Sequence, residues 1–137
     1  MKNLKKIITI AAGTAAISAM AATASAITHT VTVSCYKSDE QVYKSGGVEL
    51  HNYYNCGSAW FFDNANLYAE ASTESKEVVV FIKFAKFGSS DFDTERKTTS
   101  KGTTKASYNP FASQMLEPTS YAYSQGDDEE LYLRVTY

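Results

Sequence analysis

The chain has 137 residues, 44% of them hydrophobic and 20% charged, with a formal net charge of −2. Its three lysines within residues 1–26 set aside, ten basic residues face fifteen acidic ones, a charge of −5 that excludes a polybasic nucleic-acid or membrane-surface binder. All eighteen aromatics (ten Tyr, seven Phe, one Trp) lie beyond residue 26, which supplies ample core and argues against disorder.

Lys2, Lys5 and Lys6 precede an Ile- and Ala-rich run that ends in Ala24-Ser25-Ala26. A charged start, an apolar middle and a small-residue cleavage site are the layout of a secretory signal peptide. The expectation is a leader over 1–26 and a single secreted β domain over 27–137, starting at Ile27. No later apolar run reaches the roughly 20 residues that a spanning helix needs, so no membrane span is expected in the mature form.

Cys35 and Cys56 are the only cysteines. In an oxidising compartment such a pair is expected to form one disulfide. The alternatives are weaker. The spacing is not C-x-x-C, no His lies near either Cys in sequence, and two Cys with two His match no common zinc finger.

Period-two alternation dominates the rest. Residues 27–36 set Ile, His, Val, Val and Cys against Thr, Thr, Thr, Ser and Tyr, the pattern of a half-buried strand. Residues 37–47 are polar and close with Gly46-Gly47, which reads as a connection. Residues 48–54 alternate Val, Leu, Asn, Tyr with Glu, His, Tyr, a second strand. A direct hairpin between these two strands would place Cys35 near residue 49, far along the ladder from Cys56. A disulfide requires Cα atoms within about 7 Å, so the chain is expected to cross to another sheet or turn back between 37 and 47.

Turn signals around Gly57-Ser58 and Asp63-Asn64 flank the apolar Ala59-Trp60-Phe61-Phe62. Residues 67–72 put Leu67, Ala69 and Ala71 on one face, with Tyr68 and Glu70 on the other. Residues 77–87 are apolar on both faces, so this strand is expected to be central, with Val78, Val80, Ile82 and Phe84 buried. Residues 88–96 read as an acidic loop, and 97–108, rich in Thr and Lys, as an exposed or edge strand. Asn109-Pro110 resembles a helix start, with at most one turn before Pro118. The last strands, 119–125 and 130–137, flank a Gly126-Asp127-Asp128-Glu129 hairpin loop, with Leu131, Leu133 and Val135 inward. About seven short strands with almost no helix predict an all-β fold, a two-sheet antiparallel sandwich of immunoglobulin-like or jelly-roll-like kind. A small closed β-barrel is the alternative.

No nucleophile elbow, S-x-x-K or H-E-x-x-H motif accompanies His29 and His51. Asp91, Asp93, Glu95, Asp127, Asp128 and Glu129 cluster in loops, where solvated charge is ordinary, so no catalytic residue is assigned. Asp91, Asp93 and Glu95 present alternating oxygen donors of the kind calcium takes. They lack the Gly and distal Glu of an EF-hand, and a plain acidic loop is the alternative. No other cofactor is implied. The aromatics are the strongest handle: Tyr53, Tyr121, Tyr123, Tyr132 and Trp60 are candidate binding residues, because Tyr and Trp on a sandwich rim stack on sugars or anchor a protein. Trp60 packed over the disulfide, and Tyr121 or Tyr123 as a corner residue, are the competing roles. The expected function is a secreted, non-enzymatic binding domain for extracellular glycan or protein. A bacteriocin-like antagonist, which the acidic charge disfavours, and a small carboxylate-dependent hydrolase are the alternatives.

Overall fold

The computed structural model describes residues 27–56, 65–86, 88–109 and 116–137. Among them are nine strands: β1 Ile27–Ser34, β2 Asp39–Ser45, β3 Val48–Asn55, β4 Asn66–Thr73, β5 Val78–Phe84, β6 Asp93–Thr99, β7 Gly102–Tyr108, β8 Tyr121–Gly126 and β9 Glu129–Thr136. They form a five-stranded sheet, β1-β9-β8-β5-β6, and a four-stranded sheet, β2-β3-β4-β7. The fold is a two-sheet sandwich and not a closed barrel. Every pairing is antiparallel except β1 with β9, which run parallel from Ile27↔Glu129 to Ser34↔Thr136.

The core follows the alternation in the sequence. Leu50, Leu67, Ala69, Ala71, Val78, Val80, Ile82, Leu131, Leu133 and Val135 all point between the sheets and are buried. Phe84 is only partly buried and stacks on Tyr108, ring centroids 3.9 Å apart. Two hairpins are closed by residues that accept positive φ. Gly46 and Gly47 (φ 59° and 78°) join β2 to β3, and Asp127 and Asp128 (φ 51° and 67°) join β8 to β9. Positive φ at both tip positions matches the right-handed twist of the flanking strands.

Two segments expected to be loops are strands. The polar stretch 37–47 contains β2, and the acidic stretch 88–96 runs into β6. Both strands lie at sheet edges, where exposed charge protects against pairing with other chains and conceals the strand from a hydropathy reading. The Thr- and Lys-rich stretch 97–108 divides at residues 100–101 into the end of β6 and the whole of β7, which are edge strands of opposite sheets.

Side chains close the two open sides of the sandwich. On one side Glu95 accepts the Ser107 N–H at 2.9 Å, and Lys97 donates to the Lys105 carbonyl at 2.8 Å, tying β6 to β7. The Lys97 ammonium, 2.8 Å from Glu95, holds that carboxyl below its usual range. On the other side Gln41 donates to the His29 carbonyl at 3.1 Å, tying β2 to β1.

Candidate functional site

The expected disulfide is not formed: Cys35 and Cys56 are free thiols. The chain does leave β1 for the other sheet, as the spacing argument requires, but this does not bring the two sulfurs together. Tyr54 meets Cys35 instead, its phenol donating to the Cys35 carbonyl at 2.9 Å. Cys35 is fully buried, and burial raises its thiol.

The calcium candidates Asp91, Asp93 and Glu95 are not brought together as a ligand group. Among the described residues no group of acidic, His or Cys side chains converges to hold a metal. Asp91 is exposed before β6, Asp93 opens that strand, and the Glu95 carboxylate is taken by Lys97 and Ser107.

Three of the candidate tyrosines are not on an open surface. Tyr121, Tyr123 and Tyr132 are each 1% exposed and form one cluster with Val79 and Phe81. Burial raises all three phenols, and the Glu130 carboxylate adds to the effect at Tyr123. Outward position in the alternation does not here mean contact with water. Trp60 lies outside the described residues, as does the expected helical turn after Pro110.

Tyr53 is the candidate that the fold places in a site. The pairings β2-β3-β4-β7 set the outward residues of the four-stranded sheet in three cross-strand rows. These are Lys44–Glu49–Ser72–Thr103, Val42–His51–Glu70–Lys105 and Glu40–Tyr53–Tyr68–Ser107. Tyr53 and Tyr68 lie directly opposite each other and stack, ring centroids 5.0 Å apart and planes at 22°. His51 meets the edge of Tyr68 at 5.2 Å. From β7 the Lys105 ammonium lies over the Tyr68 ring, 3.7 Å from its centroid, and pairs with Glu70 at 3.4 Å.

A hydrogen-bond chain fixes the imidazole. The Tyr68 hydroxyl meets His51 Nδ1 at 3.4 Å, and His51 Nε2 meets Glu40 Oε2 at 3.1 Å. The neutral tautomer with its proton on Nε2 satisfies both contacts, Tyr68 donating to the ring and the ring donating to Glu40. Burial first, then the nearby Glu70, raises the Tyr68 phenol and keeps it a donor. At the far end of the same face the first row opens into a shallow cleft of about 460 Å³, bounded by Lys44, Val48, Glu49, Glu74 and Thr103.

The arrangement is a strand-built aromatic platform ringed by paired charges. Tyr68 and Lys105 were not singled out by sequence reasoning. The signal for Tyr68 is its placement with Glu70 opposite the inward Leu67, Ala69 and Ala71, but only the β3–β4 register shows that it faces Tyr53. Among the described residues no helix is long and apolar enough to cross a membrane. No family model, no curated protein and no solved structure matches the chain.

Proposed function

We propose that the protein is a secreted, non-enzymatic binding domain, and that the outer face of its four-stranded sheet binds an extracellular glycan. The observation that carries this reading is the Tyr53–Tyr68 stack set among His51, Glu40, Glu70 and Lys105. A sugar ring offers apolar C–H faces to an aromatic ring and hydroxyls to flanking polar groups, so recognition needs both kinds of partner side by side. The groups are preorganised: the His51 tautomer is set by its neighbours, and the register holds both tyrosines on adjacent strands. A protein partner is the second reading. It draws on Val42, which is 58% exposed opposite His51 and enlarges the apolar area of the same face.

Titration of the protein against an array of oligosaccharides, followed by calorimetry on the best, tests the proposal. Tyr53→Ala and Tyr68→Ala are each expected to weaken binding by about 30-fold, the scale of a buried aromatic anchor. Thr98→Ala, on the opposite sheet, is expected to leave binding unchanged. No binding to any glycan, or binding indifferent to both tyrosines, would overturn the proposal.

A further inference from the structure

Among the described residues the two sheets end in four edge strands, β1 and β6 in one and β2 and β7 in the other. Three of them are guarded. β2 carries Asp39, Glu40 and Lys44, and β6 carries Asp93, Glu95, Arg96 and Lys97. On β7 the Lys105 carbonyl and the Ser107 N–H are already taken by Lys97 and Glu95. Charges and capped backbone groups of this kind discourage the addition of another strand. β1 is built differently. Its sequence, ITHTVTVS, holds no Asp, Glu, Lys, Arg, Gly or Pro and is rich in β-branched residues, the makeup of a strand that pairs readily.

The hydrogen bonds of β1 show which of its backbone groups are open. The Ile27 N–H donates to the Asp128 carbonyl at 2.8 Å and the Cys35 N–H to the Thr136 carbonyl at 2.7 Å, so the odd-numbered residues turn their backbone toward β9. Successive residues of a strand point these groups to opposite sides. The N–H and carbonyl groups of Thr28, Thr30 and Thr32 therefore face away from the sheet. Ser34, the next in that series, gives its carbonyl to the Lys37 N–H at 2.9 Å, which ends the open run. Thr30 and Thr32 are exposed. Ile27 and Val31 share the face of the buried Val33, yet Ile27 is 48% exposed and Val31 only half-buried.

We propose that β1 pairs with β1 of a second copy of the chain, antiparallel about a twofold axis at Thr30, so that two five-stranded sheets join edge to edge. This inference is independent of the glycan reading. The open groups fix the register. With Thr30 opposite Thr30 of the second copy, Thr28 meets Thr32, and these pairs exchange about six backbone hydrogen bonds. Threonine side chains then stand opposite each other along one face of the seam, a favourable cross-strand pairing. On the other face Ile27 meets Val33 of the second copy, so the exposed isoleucine gains an apolar neighbour. The charges agree with the antiparallel sense. Glu130 lies beside Thr28 and Arg134 beside Thr32, so each Glu130 shares a row with an Arg134 across the seam. A parallel, in-register seam would set like charges level instead. The twofold also closes the assembly, because each copy spends its one unguarded edge on the other.

Analytical ultracentrifugation of the purified protein tests this. The wild-type protein is expected to sediment at twice the mass of its chain. Thr30→Lys and Thr30→Glu each set like charges against each other at the axis. Each variant alone is expected to sediment at half the wild-type mass, with an unchanged circular dichroism spectrum. Mixed in equal amounts, the two are expected to restore the dimer, because the axis places position 30 opposite itself. Thr98→Lys, on the edge strand β6, is expected to leave the mass unchanged. A wild-type protein that is monomeric at every concentration, or that grows into larger assemblies, would overturn the proposal. So would dimers that persist in either single variant, a mixture that stays monomeric, or dissociation caused by Thr98→Lys.

Discussion

The side-chain amide of Asn52, on β3, donates to the Leu131 carbonyl of β9 at 2.9 Å and so joins the two sheets through the middle of the core. The same nitrogen lies 3.2 Å from the Ala122 carbonyl and 3.3 Å from Gln41 Oε1. Asn52 is fully buried, so the carbonyls it serves have no water to turn to if its amide is removed. Asn52→Leu is expected to lower stability by about 1–3 kcal/mol, the cost of buried acceptors left without a donor. Equilibrium urea unfolding measures it, and an unchanged midpoint would count against the clamp.

Gly126 ends β8 tightly against side chains of β5 and of β3 in the facing sheet. A Cβ there would lie 2.8 Å from Val78 Cγ1 and 2.9 Å from Val48 Cγ1. Gly126→Ala is therefore expected to destabilise by about 1–3 kcal/mol through overpacking. Val78→Ala in the same chain should recover part of that loss, whereas strictly additive losses would point to a backbone effect instead.

High pH should weaken the fold. Burial raises the phenols of Tyr54, Tyr121, Tyr123 and Tyr132 above their ordinary value of 10, Tyr132 to about 12. Above pH ~10 the unfolded chain loses these protons while the folded chain keeps them, so stability falls as pH rises from about 10 toward 12. Below that window these groups contribute no pH dependence. Urea midpoints across the range, read beside phenolate absorbance, check both sign and position. A flat midpoint between pH ~9 and ~12 would contradict the burial of these rings.

The two thiols should react at different rates. Cys56 is half-buried at the end of β3, whereas Cys35 is enclosed and its thiol raised by burial. Reagent-based titration of the native protein is expected to show one fast thiol, removed by Cys56→Ser, and a second that reacts only in denaturant. The absence of any reactive thiol without a reductant would mean that the pair is bonded.

The inward faces of β4 and β9 are legible in the sequence, because burial between two sheets favours apolar residues at period two, whereas β5 is apolar on both faces and β8 sets Ser124 and Gly126 beside Ala122. Leu67, Ala69 and Ala71, or Leu131, Leu133 and Val135, can be assigned without coordinates. The edge strands β2 and β6 were concealed for the opposite reason: an edge must be polar to avoid further pairing. The site was half legible. Tyr53 could be chosen by residue type, but Tyr68, His51 and Lys105 join it only through the β3–β4–β7 register, which no local pattern encodes. Tyr121, Tyr123 and Tyr132 were misjudged because alternation tells which side of a sheet a residue faces, not whether that side is covered.

The parallel pairing of β1 with β9 governs when the molecule can be completed. The first strand after residue 26 finds its ladder only in the last eight strand residues, Glu129–Thr136. A chain emerging from the ribosome can assemble β2, β3 and β4 as successive hairpins, but β1 has no ladder in its sheet until β9 has been made. Contacts so distant in sequence also form slowly once available. The fold thus delays its own closure: the seam between Ile27–Ser34 and Glu129–Thr136 is the last that its five-stranded sheet can zip.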